Sequence, residues 1–231
     1  MTIRAVVFDL DDTLFDDRSC TMRGLAGLAG AHPTFGQLER SQQLEGYRTA
    51  LRELEPDFLA GRLSLTQYRH RRFEQMLGLV AGGGEAAFLT YREAYQQARQ
   101  ALPGAVEALT ALRAAGLAVG VLTNFSRPEQ IAKLEVCGLL PLVDALVTLS
   151  DAPPKPDPAS YRAICAALGT PPSETLMVGD SWMNDVAGAV AAGLQAVWYN
   201  PEGLAAPANI PHTTIAGFLP LEPLLAAVRT G

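Results

Sequence analysis

Apolar and polar positions along the chain fall into two textures. Residues 3–8 read IRAVVF, a short continuous apolar run ending in acids, which is the pattern of a strand buried on both faces of a parallel sheet. Residues 117–122, 145–149, 175–178 and 195–198 repeat that pattern. Between them apolar residues recur at helical spacing. Residues 103–115 place Val106, Leu109 and Leu112 on one face, with Gly116 as a stop. Ser126 and Glu129 read as a capping box with Pro128 in the first turn, opening a helix that carries Ile131 and Leu134. Asp157 and Pro158 open another, with Tyr161, Ile164 and Leu168 inward and Gly169 closing. The alternation from residue 103 onward predicts an α/β fold, a doubly wound parallel sheet.

Residues 17–100 have a different character. They hold no convincing strand run, and apolar residues at helical spacing predict helices over 40–54, 65–77 and 88–102, with breaks at Pro56 and at Gly82, Gly83 and Gly84. At roughly 150 residues per domain, a chain of 231 residues suits one large domain with an insertion. The expected division is an α/β core of residues 1–16 and 101–231 and an α-helical insertion of residues 17–100. The insertion carries 11 Arg against 9 Asp and Glu, so the remainder of the chain bears the acidic surplus. Its cluster Arg69, His70, Arg71 and Arg72 predicts a solvated helix face. The sharper alternative is a lining that attracts an anionic substrate, through Arg23, Arg69 and Arg72.

Composition narrows the function classes. Hydrophobic residues make up 48% and charged residues 18%, too apolar a balance for a disordered chain. A net charge of -6 repels a nucleic acid polymer at long range. No apolar run approaches the roughly 20 residues that span a bilayer, and the first twelve residues carry acids where a signal peptide has its apolar stretch. A cytoplasmic protein without a membrane partner is expected, a monomer or homodimer. Cys20, Cys137 and Cys165 form no CxxC and read as reduced, mostly buried thiols; His32, His70 and His212 form no HExxH, so zinc has little support.

Ligands of open α/β sheets gather at the carboxyl ends of the strands, and there this chain places its chemistry. The first strand runs into Asp9, Leu10, Asp11, Asp12 and Thr13, and the second into Thr123, Asn124, Phe125 and Ser126. Lys155, Pro156, Asp157 and Pro158 follow the third, and the fourth ends in Gly179, Asp180 and Ser181, with Asn184 and Asp185 just beyond. Lys155 is one of only two lysines, Lys133 being the other, in a chain with 18 basic residues, which suggests that a compact point charge was needed. Asp9, Asp11, Asp180 and Asp185 brought together would raise one another's pKa unless a cation neutralised them. A hard divalent ion is the natural remedy, and Mg²⁺ suits a few carboxylates plus substrate phosphate. With a hydroxyl from Thr123 and the charge of Lys155, the constellation points to phosphoryl transfer.

The ordered motifs DLDDT, TN, KPDP and GDSWMND, spanning residues 9–185, resemble those of the haloacid dehalogenase-like hydrolase superfamily. DLDDTLFDD and VGDSWMNDVAGA look most like its nucleotidase and sugar-phosphate phosphatase branch, and the insertion is similar to the family's helical cap of the first type, which closes over the active site. The resemblance implies that Asp9 is a nucleophile forming an aspartyl phosphate. It implies that Asp11 protonates the leaving oxygen and then activates water. Mg²⁺ would be held by Asp9, the backbone carbonyl of Asp11 and Asp180, with Asp185 one layer further out or bound through water. Thr123 and the Asn124 amide would hold phosphate oxygens, and Lys155 would offset charge on Asp9 and the transferring group. The family's dehalogenases lack the second carboxylate, because a halide needs no proton; Asp11 therefore speaks against dehalogenation. A small phosphorylated metabolite, of nucleoside monophosphate or sugar phosphate type, is the implied substrate. Phosphomutases share both aspartates and stay open as an alternative. Asp12 stands where many relatives carry Gly and reads as a solvated or helix-capping acid.

Two readings from other classes compete. A receiver-type regulatory domain also combines carboxylates, Mg²⁺, Thr and Lys, but has no place for an insertion of about 80 residues after its first strand. A non-catalytic phosphate-binding protein on the same fold would be free to lose a motif residue, and none of Asp9, Asp11, Thr123, Lys155 or Asp180 is missing. Trp198, ending an apolar run, is expected in the core.

Overall fold

The computed structural model describes residues 2–230, and the chain forms two compact units, Met1–Asp16 with Gln100–Gly231, and Asp17–Arg99. After strand β1 (Ala5–Phe8) come five helices of the second unit: α1 (Asp17–Ala31), α2 (Pro33–Gly36), α3 (Arg40–Leu59), α4 (Leu65–Leu77) and α5 (Gly84–Gln97). The first unit resumes with α6 (Ala105–Ala114), β2 (Ala118–Leu122), α7 (Arg127–Val136), β3 (Ala145–Val147) and α8 (Pro158–Leu168). It ends with β4 (Thr175–Gly179), α9 (Gly188–Ala191), β5 (Gln195–Tyr199), β6 (Thr213–Ile215) and α10 (Glu222–Thr230).

The first unit is a six-stranded parallel sheet in the order β3-β2-β1-β4-β5-β6, with helices on both sides. This is the expected doubly wound α/β fold. All four residues of β1 are fully buried, which is why the run is continuously apolar rather than alternating. The chain winds outward from β1 through β2 to β3, then returns to β4 on the other side of β1, so the topological switch lies between β1 and β4. Phe8 is in register with Val121 on β2 and Val178 on β4, so the residues after these strands emerge side by side. Helix α8 begins as the sequence suggests: the Asp157 carboxylate accepts from the Ala159 N–H at 2.8 Å, and Gly169 ends the helix in the left-handed conformation.

Local expectations fail where the signal was weak. The Ser126–Glu129 box does not form; Ser126 caps with no side-chain bond, and its carbonyl accepts from the Glu129 N–H at 3.2 Å instead. Val106 is exposed, and α6 buries Ala105, Ala108, Leu109 and Leu112, a face whose small residues the pattern undervalued. Strand β6 escaped notice because it is a three-residue edge strand with only Ile215 buried.

The second unit is helical. Helix α4 has the bounds predicted for it and carries a reciprocal capping box: Ser64 Oγ accepts from the Gln67 N–H, and Gln67 Oε1 accepts from the Ser64 N–H. Pro56 does not break α3 but lies exposed inside it, where water can serve the carbonyl it leaves unbonded. The third expected helix starts four residues earlier and stops sooner, as α5. Helix α1 was not foreseen because its buried face mixes Cys20, Thr21 and Gly24 with only two leucines, Leu25 and Leu28. A Cβ on Gly24 would lie 2.5 Å from the Tyr91 ring, so only glycine lets α1 approach α5 this closely.

The basic cluster on α4 is not one solvated face. Arg71 is exposed and Arg69 and His70 are half-buried, but Arg72 is buried. Its guanidinium lies 4.8 Å from the ring centroid of Tyr47, 4.9 Å from Phe73 and 5.7 Å from Tyr91. Helical phase explains this, since Tyr68 and Arg72 are one turn apart on the inward stripe. Arg23 is exposed on α1. Cys20 and Cys165 are buried and Cys137 half-buried, all as free thiols. No helix of the described residues is long and apolar enough to cross a membrane.

Candidate active site

Asp9 follows β1 directly, its N–H bonded to the Val178 carbonyl at 2.9 Å, so the sheet itself fixes where the side chain starts. Lys155, on the segment after β3, is 5% exposed and donates to Asp9 Oδ1 at 2.6 Å and to Asp185 Oδ1 at 2.7 Å. Asp185 is fully buried in a π-helical turn, Trp182–Ala187, and its other oxygen accepts from the Ser181 N–H at 3.0 Å. Gly179 makes room for it: a Cβ there would lie 2.3 Å from the Asp185 carboxyl. Asp180 is held from three sides. Its N–H donates to Thr13 Oγ1 at 3.1 Å, that hydroxyl donates to Asp180 Oδ1 at 3.4 Å, and the Asp180 carbonyl accepts from Trp198 Nε1 at 2.9 Å. Trp198 is in the core as expected, and it also tethers the site.

Asp9, Asp180 and Asp185 offer carboxylate oxygens within 4.8 Å of one another. Burial pushes the Asp9 carboxyl up to about 6 against the pull of Lys155, with Asp185 adding to the rise. Asp180 is pushed further, to about 8, first by burial and then by the charges of Asp9, Asp185 and Asp12. Burial alone would lower the Lys155 pKa, but Asp185 and Asp9 hold it above its ordinary value. The ammonium is thus committed to two of the three acids, and Asp180 has no ion-pair partner among the described residues. An oxygen-only donor set with surplus negative charge fits a hard divalent cation.

Asp11 does not join that group. Its carboxylate turns to α7, where Lys133 Nζ donates to Oδ1 at 2.5 Å and Gln130 Nε2 donates to Oδ2 at 3.0 Å. Gln130 Nε2 also donates to Thr123 Oγ1 at 2.6 Å. Because Thr123 accepts that bond, its own O–H is left to donate, which suits a phosphate oxygen. The Asn124 side chain is already spent, accepting from the Lys155 N–H at 2.7 Å and donating to the Lys155 carbonyl at 2.8 Å. It splices the segment after β2 to the one after β3, and neither bond uses the Asn124 backbone N–H. Asp12 is not a helix cap; it sits at φ 59 in the turn after β1, the left-handed region that glycine favours.

Three residues of this constellation were not singled out from the sequence: Thr13, Gln130 and Lys133. The scarcity of lysine pointed at Lys133 as well as Lys155, and Gln130 and Lys133 are three residues apart on α7, hence on one face.

A parallel sheet with an acidic cluster at its switch point, flanked by a buried lysine and a threonine hydroxyl, defines a class of phosphate-handling α/β enzymes. The family model "haloacid dehalogenase-like hydrolase" matches residues 3–193, and the chain belongs to that family of hydrolases. It is 33% identical over 213 residues to ribulose-1,5-bisphosphate 5-phosphatase of Halopiger xanaduensis, covering 85% of this chain and 84% of that one. It is 31% identical over 232 residues to pyrimidine 5'-nucleotidase YjjG of Escherichia coli, covering 95% and 96%. Among solved structures, the putative HAD-hydrolase YfnB from Bacillus subtilis, bound to magnesium, superposes with a TM-score of 0.78 at 23% identity, over 97% of this chain and 99% of that one.

Proposed function

We propose that this hydrolase is a Mg²⁺-dependent phosphatase of a small phosphorylated metabolite, of nucleoside monophosphate or sugar phosphate type, working through an aspartyl phosphate on Asp9. The observation that carries the reading is the second carboxylate, Asp11, joined through Gln130 to the Thr123 hydroxyl and two residues from Asp9. A leaving alkoxide needs a proton, whereas a halide does not. The names of the matched relatives support a phosphorylated metabolite as substrate.

In the first step an Asp9 carboxylate oxygen attacks phosphorus, and the bond from phosphorus to the ester oxygen breaks. Protonated Asp11 gives its proton to that oxygen, and the alcohol leaves. In the second step Asp11, now ionised, takes a proton from water as the water attacks the same phosphorus. Inorganic phosphate leaves, and Asp9 and Asp11 return to their starting states. The Thr123 O–H and the Asn124 backbone N–H hold non-bridging oxygens, and Lys155 offsets charge on Asp9. Asp9, the backbone carbonyl of Asp11 and Asp180 would hold Mg²⁺, with Asp185 turned to Lys155 behind them; when bound, the ion supplies positive charge to offset the phosphate and the clustered acids.

The test is turnover of a panel of phosphorylated metabolites, including nucleoside monophosphates, sugar phosphates and phosphoglycolate, with Mg²⁺ and after chelation. Asp9→Asn abolishes turnover and the covalent phosphoenzyme, and chelation silences the wild type until Mg²⁺ is restored. Retention of more than a few per cent of activity in that variant, on the order of what loss of an essential group leaves, refutes the assignment.

A further inference from the structure

We infer that Gln130 and Lys133 of α7 are positioning residues for Asp11, aiming its carboxyl group at the leaving oxygen. The inference rests on the phosphatase reading above. Each Asp11 oxygen accepts from one of these two side chains: Lys133 Nζ donates to Oδ1 at 2.5 Å and Gln130 Nε2 donates to Oδ2 at 3.0 Å. Two donors on two oxygens fix the plane of a carboxyl group, whereas one would let it swing.

The surroundings mark this as a built arrangement rather than a surface ion pair. Lys133 is 4% exposed, and Gln130 is fully buried. The Lys133 ammonium lies 4.7 Å from the centroid of the Phe15 ring and 5.9 Å from that of Phe125, so two aromatic rings border it. Gln130 keeps its amide turned toward Asp11 and Thr123 even though its Oε1 is left buried without a partner. A buried acceptor left unsatisfied costs about 1–3 kcal/mol. That cost is tolerated because the opposite orientation would set a carbonyl oxygen against a carboxylate.

The Gln130 amide also ties two functions together. One NH₂ group bonds both the hydroxyl proposed to hold phosphate and the carboxyl proposed to move the proton, so the phosphate oxygen and the leaving oxygen are registered against the same atom of α7. Misplacement of a reacting group by about 1 Å can cost roughly 100-fold in rate. Such a loss is selective here. The proton matters for a basic alkoxide and hardly at all for 4-nitrophenolate, which leaves unaided.

The experiment measures kcat/KM, which reports the first phosphoryl transfer, for a series running from alkyl phosphates through phenyl phosphate to 4-nitrophenyl phosphate. The proteins are the wild type, Lys133→Met, Lys133→Arg and Gln130→Met, each checked by thermal melting. The wild type should depend weakly on leaving-group basicity. Lys133→Met and Gln130→Met should lose about 100-fold on alkyl phosphates but less than about fivefold on 4-nitrophenyl phosphate, and Lys133→Arg should recover part of the alkyl activity. An equal loss across the series, or no loss, overturns the inference and leaves Gln130 and Lys133 as packing residues. A wild type inert toward every phosphate ester, or an Asp9→Asn variant as active as wild type, overturns the phosphatase reading instead.

Discussion

Lys155 shows how one side chain can hold a site together. Its ammonium is buried between Asp9 and Asp185, which lie 146 and 30 residues away in sequence. Removing one partner of a buried charge cluster costs about 3–5 kcal/mol, because the remaining charges stay desolvated and unpaired. Lys155→Met should therefore lower stability by about 3 kcal/mol in the cation-free protein, read by denaturant titration, and added Mg²⁺ should recover part of the loss. Asp180 gives a pH dependence of definite sign. Its folded-state pKa of about 8 lies above the ordinary carboxyl value of 3.8, so the folded chain binds this proton more tightly than the unfolded chain. Without a divalent cation, the Asp180 contribution to stability is full below about pH 4 and is lost as pH rises toward about 8. A cation must displace that proton, so its apparent affinity should rise about tenfold per pH unit from pH 6 to 8. Calorimetric titration with Mg²⁺ at pH 6, 7 and 8 reads this directly, and a flat affinity would remove Asp180 from the ligand set.

At the scale of elements, helix α1 illustrates a packing face with little hydrophobic signature. Gly24 faces the Tyr91 ring on α5, while Gly30 on the same helix has nothing within 4 Å of where a Cβ would sit. Alanine gains roughly 0.5–1 kcal/mol over glycine inside a helix. At Gly30 that gain should appear as a small rise in melting temperature. At Gly24 it should be outweighed by overpacking of about 1–3 kcal/mol, so Gly24→Ala should melt lower than wild type. The contrast between the two variants separates close approach from helix propensity. Helix α7 shows the same limit from the polar side. Its apolar spacing predicts a helix over the right segment, but that spacing is silent about Gln130 and Lys133, whose partners Asp11 and Thr123 lie in the segments after β1 and β2.

For the whole molecule, the two linkers into the helical unit run side by side. Phe15 pairs with Ala101, the Asp16 N–H bonds the Gln100 carbonyl at 3.1 Å, and the Leu102 N–H bonds the Leu14 carbonyl at 2.9 Å. The chain therefore leaves and re-enters the α/β unit at one place, and that unit has its own core around β1 and its neighbours. Replacing residues 19–98 by a short Gly/Ser linker should leave the α/β unit folded, by circular dichroism and melting, and active on 4-nitrophenyl phosphate. Discrimination among natural substrates should collapse. The measure is the ratio of kcat/KM for the best and a poor substrate in both forms, and an unchanged ratio in a folded truncation would show that selectivity resides elsewhere.

The sequence by itself determined the alternation of buried strands and helices, the doubly wound sheet, and the places where Asp9, Thr123, Lys155 and Asp180 leave the strands. These are legible because a strand buried on both faces must be continuously apolar, and because caps such as Asp157 and Gly169 act through their nearest neighbours. The tertiary structure alone decided which acid pairs with which base. It turned Asp11 to Lys133 rather than into the carboxylate cluster, spent the Asn124 side chain on Lys155, and buried Arg72 among tyrosines. Charged residues are written in a sequence as if solvated. Whether one is buried depends on partners that chain folding brings in from far along the sequence, and the attraction between them becomes strong only once water has been excluded.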